Sequence, residues 1–304
     1  MTKRKGNIFL KIVRQWELFF MIIPIMVYVF IFSYLPLRGW VMAFQNFRPN
    51  RQTHEWVGFR HFERLFTDER FFRVMKNTLA MSFINLILGF VCAIFLALLI
   101  NEIKNRYFKR FVQTISYLPH FLSWVIAASM IAEFLSSGGI FNTVLMRLGI
   151  IDTPIILLSR PESFWWVVGW GTVWKSVGWN TIIYLAAITS IDPELYESAS
   201  LDGAGRFARM RHITLPGIKP TILVLLIMNI GWILNAGYEV QYLLGNTLTW
   251  STAETIDVFV IRFGIGRGNF SLGVALGIFK TVVSIVLITM ANMLSKKFAQ
   301  ESLV

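Results

Sequence analysis

Six long apolar runs, separated by charged stretches, set the hydropathy pattern of the chain; they cover residues 18–37, 77–100, 116–135, 164–187, 221–244 and 270–294. Each is near the ~20 residues a helix needs to cross a hydrocarbon layer of about 30 Å. The pattern therefore predicts an all-α integral membrane fold with six transmembrane helices. The first run carries no charge. Glu133 falls near the end of the third, Lys175 inside the fourth, Glu239 inside the fifth and Lys280 inside the sixth. Polar residues interrupt the third and fourth most.

Two flanking patterns are amphipathic. Ile8, Phe9, Ile12, Val13 and Trp16 recur at helical spacing among Lys11 and Arg14. That predicts a short helix lying in the interface within residues 1–17. The first apolar run is too long for the core of a secretory signal and no A-x-A site follows, so it reads as an uncleaved helix. "FRHFERLFTDERFFRVM" (59–75) is predicted to lie along the membrane surface.

Composition agrees with the pattern. Of 304 residues, 55% are hydrophobic and 15% charged, against about 25% charged in a soluble domain. The net charge of +12 would suggest nucleic acid in a soluble protein. Here the basic residues flank apolar runs, where topology and anionic lipid account for them. Six spans put both termini on one side, expected to be the cytoplasm. The short loop with Lys104, Arg106, Lys109 and Arg110 is the clearest positive-inside signal. The first external loop goes against the rule, since it carries Arg38, Arg48, Arg51, Arg60, Arg64, Arg70, Arg73 and Lys76.

Several chemistries are excluded. The lone Cys92 forms no disulfide within the chain, and no Cys/His set has zinc spacing. No G-x-x-x-x-G-K-[ST] stretch exists to cradle a nucleotide, and "GIGRGN" (264–269) lacks the spacing of a dinucleotide fingerprint. His54, His61, His120 and His212 are scattered, with no catalytic constellation. The chain is read as a non-enzyme with one membrane domain and no fixed-period repeat.

One polar stretch in the second half is too organised for a plain connector: "ESASLDGAGRFARMRHITLPGIKP", residues 197–220. Just before it, Asp192 is placed to cap a helix, with Pro193 at its first position. Glu194 and Glu197 sit in the early turns, where the helix dipole favours acids. Gly203 allows a tight turn, and Asp202 is placed to cap a second helix. A hairpin of two short helices is predicted over 192–220.

Glu197, Ala199, Asp202, Gly203 and Ala204, followed by Ile213, Leu215 and Pro216, resemble the EAA motif of permease subunits in binding-protein-dependent ABC importers. The chain departs from that pattern at Ser198, where the family usually has Ala, and at Met210, where Phe is common. The resemblance extends over residues 70–295. "KNTL", "SYLPHFLSW" and "WNTIIYLAAITSIDPELYESA" are similar to the maltose-permease-like branch for complex oligosaccharides. It implies the type I importer permease fold. Residues 18–69 would hold the first helix and external loop, 70–295 the permease core and 296–304 a cytoplasmic tail. It implies that Glu197, Ala199, Asp202, Gly203, Ala204 and Gly205 form a coupling helix entering a cleft of a separate ATPase. The implied partners are two ATPase subunits using ATP and Mg, a second and different homologous permease, and an extracellular solute-binding protein. The setting would be a bacterial cell membrane. No cofactor of its own and no nucleic acid are expected.

The substrate path is read from polar and aromatic residues within the spans. Lys175 and Lys280 fall near the midplane and no carboxylate is expected at that depth. Intramembrane charges mark function by default, which suggests a cavity for an anionic, uronate-containing sugar. The alternative is that both lysines pair with backbone carbonyls, Asn235 or acids on a partner. Trp166, Trp170 and Trp174 form one helical stripe, with Trp179 a turn beyond Lys175. The stripe suits either stacking on sugar rings or an interfacial aromatic belt. By resemblance to disaccharide permeases, 174–179 and Asn235 correspond to substrate-contacting positions. An interhelical hydrogen bond is the alternative for Asn235. The candidate path is thus Trp170, Trp174, Lys175, Trp179, Asn235 and Lys280. The rival functions are an ion-gradient-driven transporter, which calls for internal repeats and midplane carboxylates, a permease for a non-sugar solute, and a membrane scaffold.

Overall fold

The computed structural model describes residues 15–299. The N-terminal interfacial helix expected in 1–17 lies almost wholly outside them. Helix α1 (Trp16–Val29) runs on through a π turn (Phe30–Tyr34) and a 3-10 stretch (Leu35–Phe44) as one rod. No residue in the apolar window of that rod is buried within the chain. A small antiparallel ribbon follows, with β1 (Gln45–Asn46) and β2 (Glu55–Trp56) in the register Gln45 to Trp56. Next comes α2 (Arg60–Thr67), whose Leu65 and Phe62 pack into the core while Arg60 and Arg64 face away.

Asp68 then starts α3 (Glu69–Glu102), its carboxylate accepting from the Arg70 N–H at 2.9 Å. The helix begins eight residues before the predicted span, absorbing the second half of the stretch expected to lie on the surface. α4 (Arg106–Tyr117) is capped by Asn105, which accepts from two backbone N–H groups. A 3-10 turn (Leu118–Phe121) leads to α5 (Trp124–Phe134). α6 (Ile140–Arg147) precedes α7 (Pro161–Thr189), a single unbroken helix.

The hairpin comprises α8 (Pro193–Leu201), α9 (Arg206–Arg209), a π turn (Met210–Thr214) and α10 (Leu215–Gly217). α11 (Lys219–Gly231) re-enters the bundle, followed by the short helices α12 (Glu239–Leu244), α13 (Trp250–Ala253) and α14 (Ile256–Phe259). α15 (Phe270–Ala299) closes the described chain.

The core is built around α3 and α7. At one end Met81, Phe164, Val168 and Ala128 interdigitate; at the other Ala93, Ala97, Tyr184 and Ile188 do so. A third cluster joins α15 to Leu234, Ile256 and Phe259.

Three helices, Trp16–Phe44, Glu69–Glu102 and Phe270–Lys296, are long and apolar enough to cross a membrane alone, and two bent pairs raise the number to five. The expected third span is one of these pairs, bent by 105° between 106–121 and 124–134. Pro119 and the Ser123 cap, which accepts from the Ile126 N–H, break it. The expected fifth span is not continuous either. It stops at Gly231, runs irregularly over 232–238 and resumes in the six residues of α12. The expected fourth span lies inside α7, which at 29 residues is about 43 Å long. Its tryptophans, asparagine and lysine keep it off the apolar set.

Candidate functional site

The hairpin leaves the end of α7 through Asp192, whose carboxylate accepts from the Glu194 N–H at 3.0 Å. Asp202 does not cap the second helix as expected. It closes α8, and Gly205 stands at the start of α9 without a side-chain cap. Gly203 takes φ +79°, the left-handed region that a Cβ disfavours. That turn lets the Ala204 N–H reach the Ala199 carbonyl at 2.8 Å. Two bonds clamp the arms together: Tyr196 Oη to Thr214 Oγ1 at 3.0 Å, and Arg209 Nη1 donating to Ser200 Oγ at 2.8 Å. Arg206 approaches Glu102 at the end of α3 at 3.9 Å.

Glu197, Asp202, Gly203 and Gly205 are exposed, with Ala199 and Ala204 half-buried. Neither Glu197 nor Asp202 forms an ion pair among the described residues. The tip carries two apolar side chains that sequence reasoning passed over, Leu201 at 90% and Phe207 at 85% exposure. Leu201 and Phe207 thus stand exposed beside two carboxylates that form no ion pair among the described residues.

A cavity of about 270 Å³ opens between α3, α7, α11 and the break after α11. Ser82 and Asn85 line it from α3, and Asn229 and Asn235 from α11 and the break. From α7 come Thr172, Ser176 and Asn180, one helical face at four-residue spacing. None of its lining residues is charged. Ser82 Oγ and Asn85 Oδ1 are buried without a hydrogen-bond partner, which is costly unless a ligand or water supplies one. Asn85 stands near the middle of α3, and Trp232, an exposed ring, lines the cavity from the break after α11. Asn235 is the one candidate path residue that lines this cavity.

The other candidates lie elsewhere. Lys175 is 8% exposed, donates to the His120 carbonyl at 2.9 Å and sits 5.2 Å from the Trp124 ring centre. Its ammonium thus satisfies a carbonyl freed by the bend in the third span. Trp179 stacks on the His120 ring, centroids 4.5 Å apart and 5° from parallel. Trp170 and Trp174 are exposed on α7, about 200° around the helix from Thr172 and Ser176.

Lys280 donates to Asp257 Oδ1 at 2.5 Å. This corrects the expectation that no carboxylate stands at that depth. Asp257 belongs to segment 250–265, which falls between the fifth and sixth apolar runs and packs inside, with Ala253, Ile256, Val258 and Phe259 buried. Within it Glu254 is 1% exposed and accepts from Arg70 Nε at 3.1 Å and Arg262 Nη1 at 3.3 Å. Arg70 lies over Phe263 and Arg262 over Trp250. Asn77 donates to the Ser251 and Glu254 carbonyls. The signal in the sequence was the apolar run "IDVFVIRF", too short for a span but too apolar for a free loop.

Comparison with known proteins follows the same geometry. Residues 70–300 match the family described as binding-protein-dependent transport system inner membrane component. The chain is 44% identical to the polygalacturonan/rhamnogalacturonan transport system permease protein YteP of Bacillus subtilis (strain 168), over 99% of this chain and 94% of that protein. It superposes with a TM-score of 0.88 and 41% identity on a chain of a bacterial ABC transporter involved in the import of the acidic polysaccharide alginate, covering 96% of this chain and 99% of that one. A second structure, the alginate transporter in complex with alginate pentasaccharide-bound periplasmic protein, gives the same TM-score at 40% identity, covering 96% and 98%.

Proposed function

The chain belongs to the family of binding-protein-dependent transport system inner membrane components, and from that premise we propose that it is one permease subunit of an ATP-driven oligosaccharide importer. The observation that carries this is the uncharged cavity at mid-depth. Its wall of four asparagines, with serine and threonine hydroxyls and the Trp232 ring, offers the donors, acceptors and stacking face a sugar needs. The hairpin, with Glu197 to Gly205 at its core and Leu201 and Phe207 at its tip, docks on an ATPase subunit that supplies the work. The cytoplasm then lies on the hairpin side, together with both termini. A second permease completes the path, two ATPase subunits use ATP and Mg, and an external binding protein delivers the sugar. The exposed Trp170 and Trp174 face is available to the second permease.

Acidic, uronate-containing oligosaccharides are the favoured substrate class. The support is the named substrates of the similar proteins, polygalacturonan and alginate. Lys175 and Lys280 lend none, since both ammonium groups are engaged within the chain. A carboxylate in this cavity would be held by neutral amide and hydroxyl donors. The rival ion-gradient transporter needs a titrating carboxylate, and Glu254 and Asp257 are each paired with a cation.

The test is uptake by the reconstituted complex of permeases, ATPase and loaded binding protein. ATP-dependent entry of an oligogalacturonate, lost in Asn229→Ala/Asn235→Ala while the complex still assembles, is the expected result. Uptake without ATP by this chain alone would sink the reading. Unchanged uptake by the double variant would remove the cavity from the path.

A further inference from the structure

Eight basic residues in the first external loop run against the positive-inside rule, and three of them converge. Arg48, Arg60 and Arg64 line one cleft of about 670 Å³. Its walls are the turn after β1, the polar face of α2 and the first turn of α15. Ser271 fixes that geometry, donating to the Gln45 carbonyl at 2.6 Å and accepting from the Phe47 N–H at 3.0 Å. Arg60 and Arg64 are four apart on α2 and so project together. None of the three guanidiniums has an ion-pair or hydrogen-bond partner among the described residues. Glu63 is the one carboxylate on the wall, so three arginines less one glutamate leave two positive charges unbalanced.

The depth of the cleft points to its occupant. The membrane-crossing stretch of α15 begins at Phe270, directly after the polar run Arg267, Gly268 and Asn269, so its first turn stands at the headgroup boundary. Trp56, Phe59 and Phe66 are exposed beside the cleft, as aromatic residues are at a membrane–water boundary. Clustered arginine charge at a membrane surface attracts an anionic headgroup. We propose that this cleft binds the headgroup of an anionic phospholipid in the leaflet opposite the hairpin, with its phosphate held between Arg48, Arg60 and Arg64. The site does not depend on what the chain transports.

The test compares the full chain, purified with its co-purifying subunits, in nanodiscs of phosphatidylcholine with and without phosphatidylglycerol. Native mass spectrometry counts the retained lipids and Tm is read in parallel. Each arginine near an anionic surface is worth about fivefold in binding. R48Q/R60Q/R64Q should therefore lose at least about an order of magnitude of preference for phosphatidylglycerol at one site. R48K/R60K/R64K keeps the charge and should retain most of the preference. It also decides the matter if the glutamine variant is unstable in phosphatidylcholine alone. An unchanged preference in the glutamine variant, or a lost one in the lysine variant, overturns the proposal. In detergent, stabilisation of the wild type but not the glutamine variant by glycerol phosphate would assign the cleft to a soluble phosphate. The same result with tetragalacturonate would assign it to a saccharide. Either outcome overturns the lipid assignment.

Discussion

Lys175 shows how a charge inside a span can be structural. A bend in a membrane helix exposes carbonyls that no water is present to satisfy. Lys175 reaches one of them, at His120, with its stem passing Trp124. Lys175→Met should leave that carbonyl unpartnered and cost about 1–3 kcal/mol. The expected readout is a lower Tm of the purified complex, with uptake of neutral and acidic oligosaccharides reduced alike. Selective loss of acidic uptake would return Lys175 to the substrate path. Residue type was legible in the sequence. The partner was not, because it is a backbone atom some 55 residues away, made available only by a break whose angle no local pattern encodes.

At the scale of elements, close approach and exposure carry the consequences. Gly178 on α7 faces the Ser116 carbonyl group of α4, and a Cβ there would collide with that backbone. Gly178→Ala should force α4 and α7 apart at a cost of about 1–3 kcal/mol, seen as lower Tm and faster proteolysis near residues 105–120. On the hairpin, Phe207→Asp should spare Tm, since the ring touches little of its own chain. It should abolish co-purification of the ATPase and ATP hydrolysis stimulated by loaded binding protein. Retention of both would remove Phe207 from the docking surface. The hairpin itself was readable from the sequence, because the Asp192 cap, the Gly203 turn and the prolines are local signals. Segment 250–265 was not, since its burial rests on pairings such as Arg70 with Glu254 and Thr78 with the Ile256 N–H, which join distant parts of the chain.

Across the whole molecule, the first, second, fourth and sixth predicted spans fall inside continuous helices, and the third and fifth fall on breaks. α3 and α15 contain their predicted spans, whereas the third and fifth are split where a proline or a cavity-lining turn interrupts the ladder. The fold is shared with a chain of a bacterial ABC transporter involved in alginate import at a TM-score of 0.88. The tight hairpin has a mechanical meaning here. It joins the end of α7 to the start of α11, and both helices line the asparagine cavity. A crank delivers stroke only if it does not flex. In the proposed importer the Tyr196–Thr214 and Arg209–Ser200 ties would remove slack between tip and shaft, so that displacement of Leu201 and Phe207 would reach the cavity rather than be absorbed in the loop. Loosening either tie should waste stroke, leaving fuel burned with less cargo moved per turn.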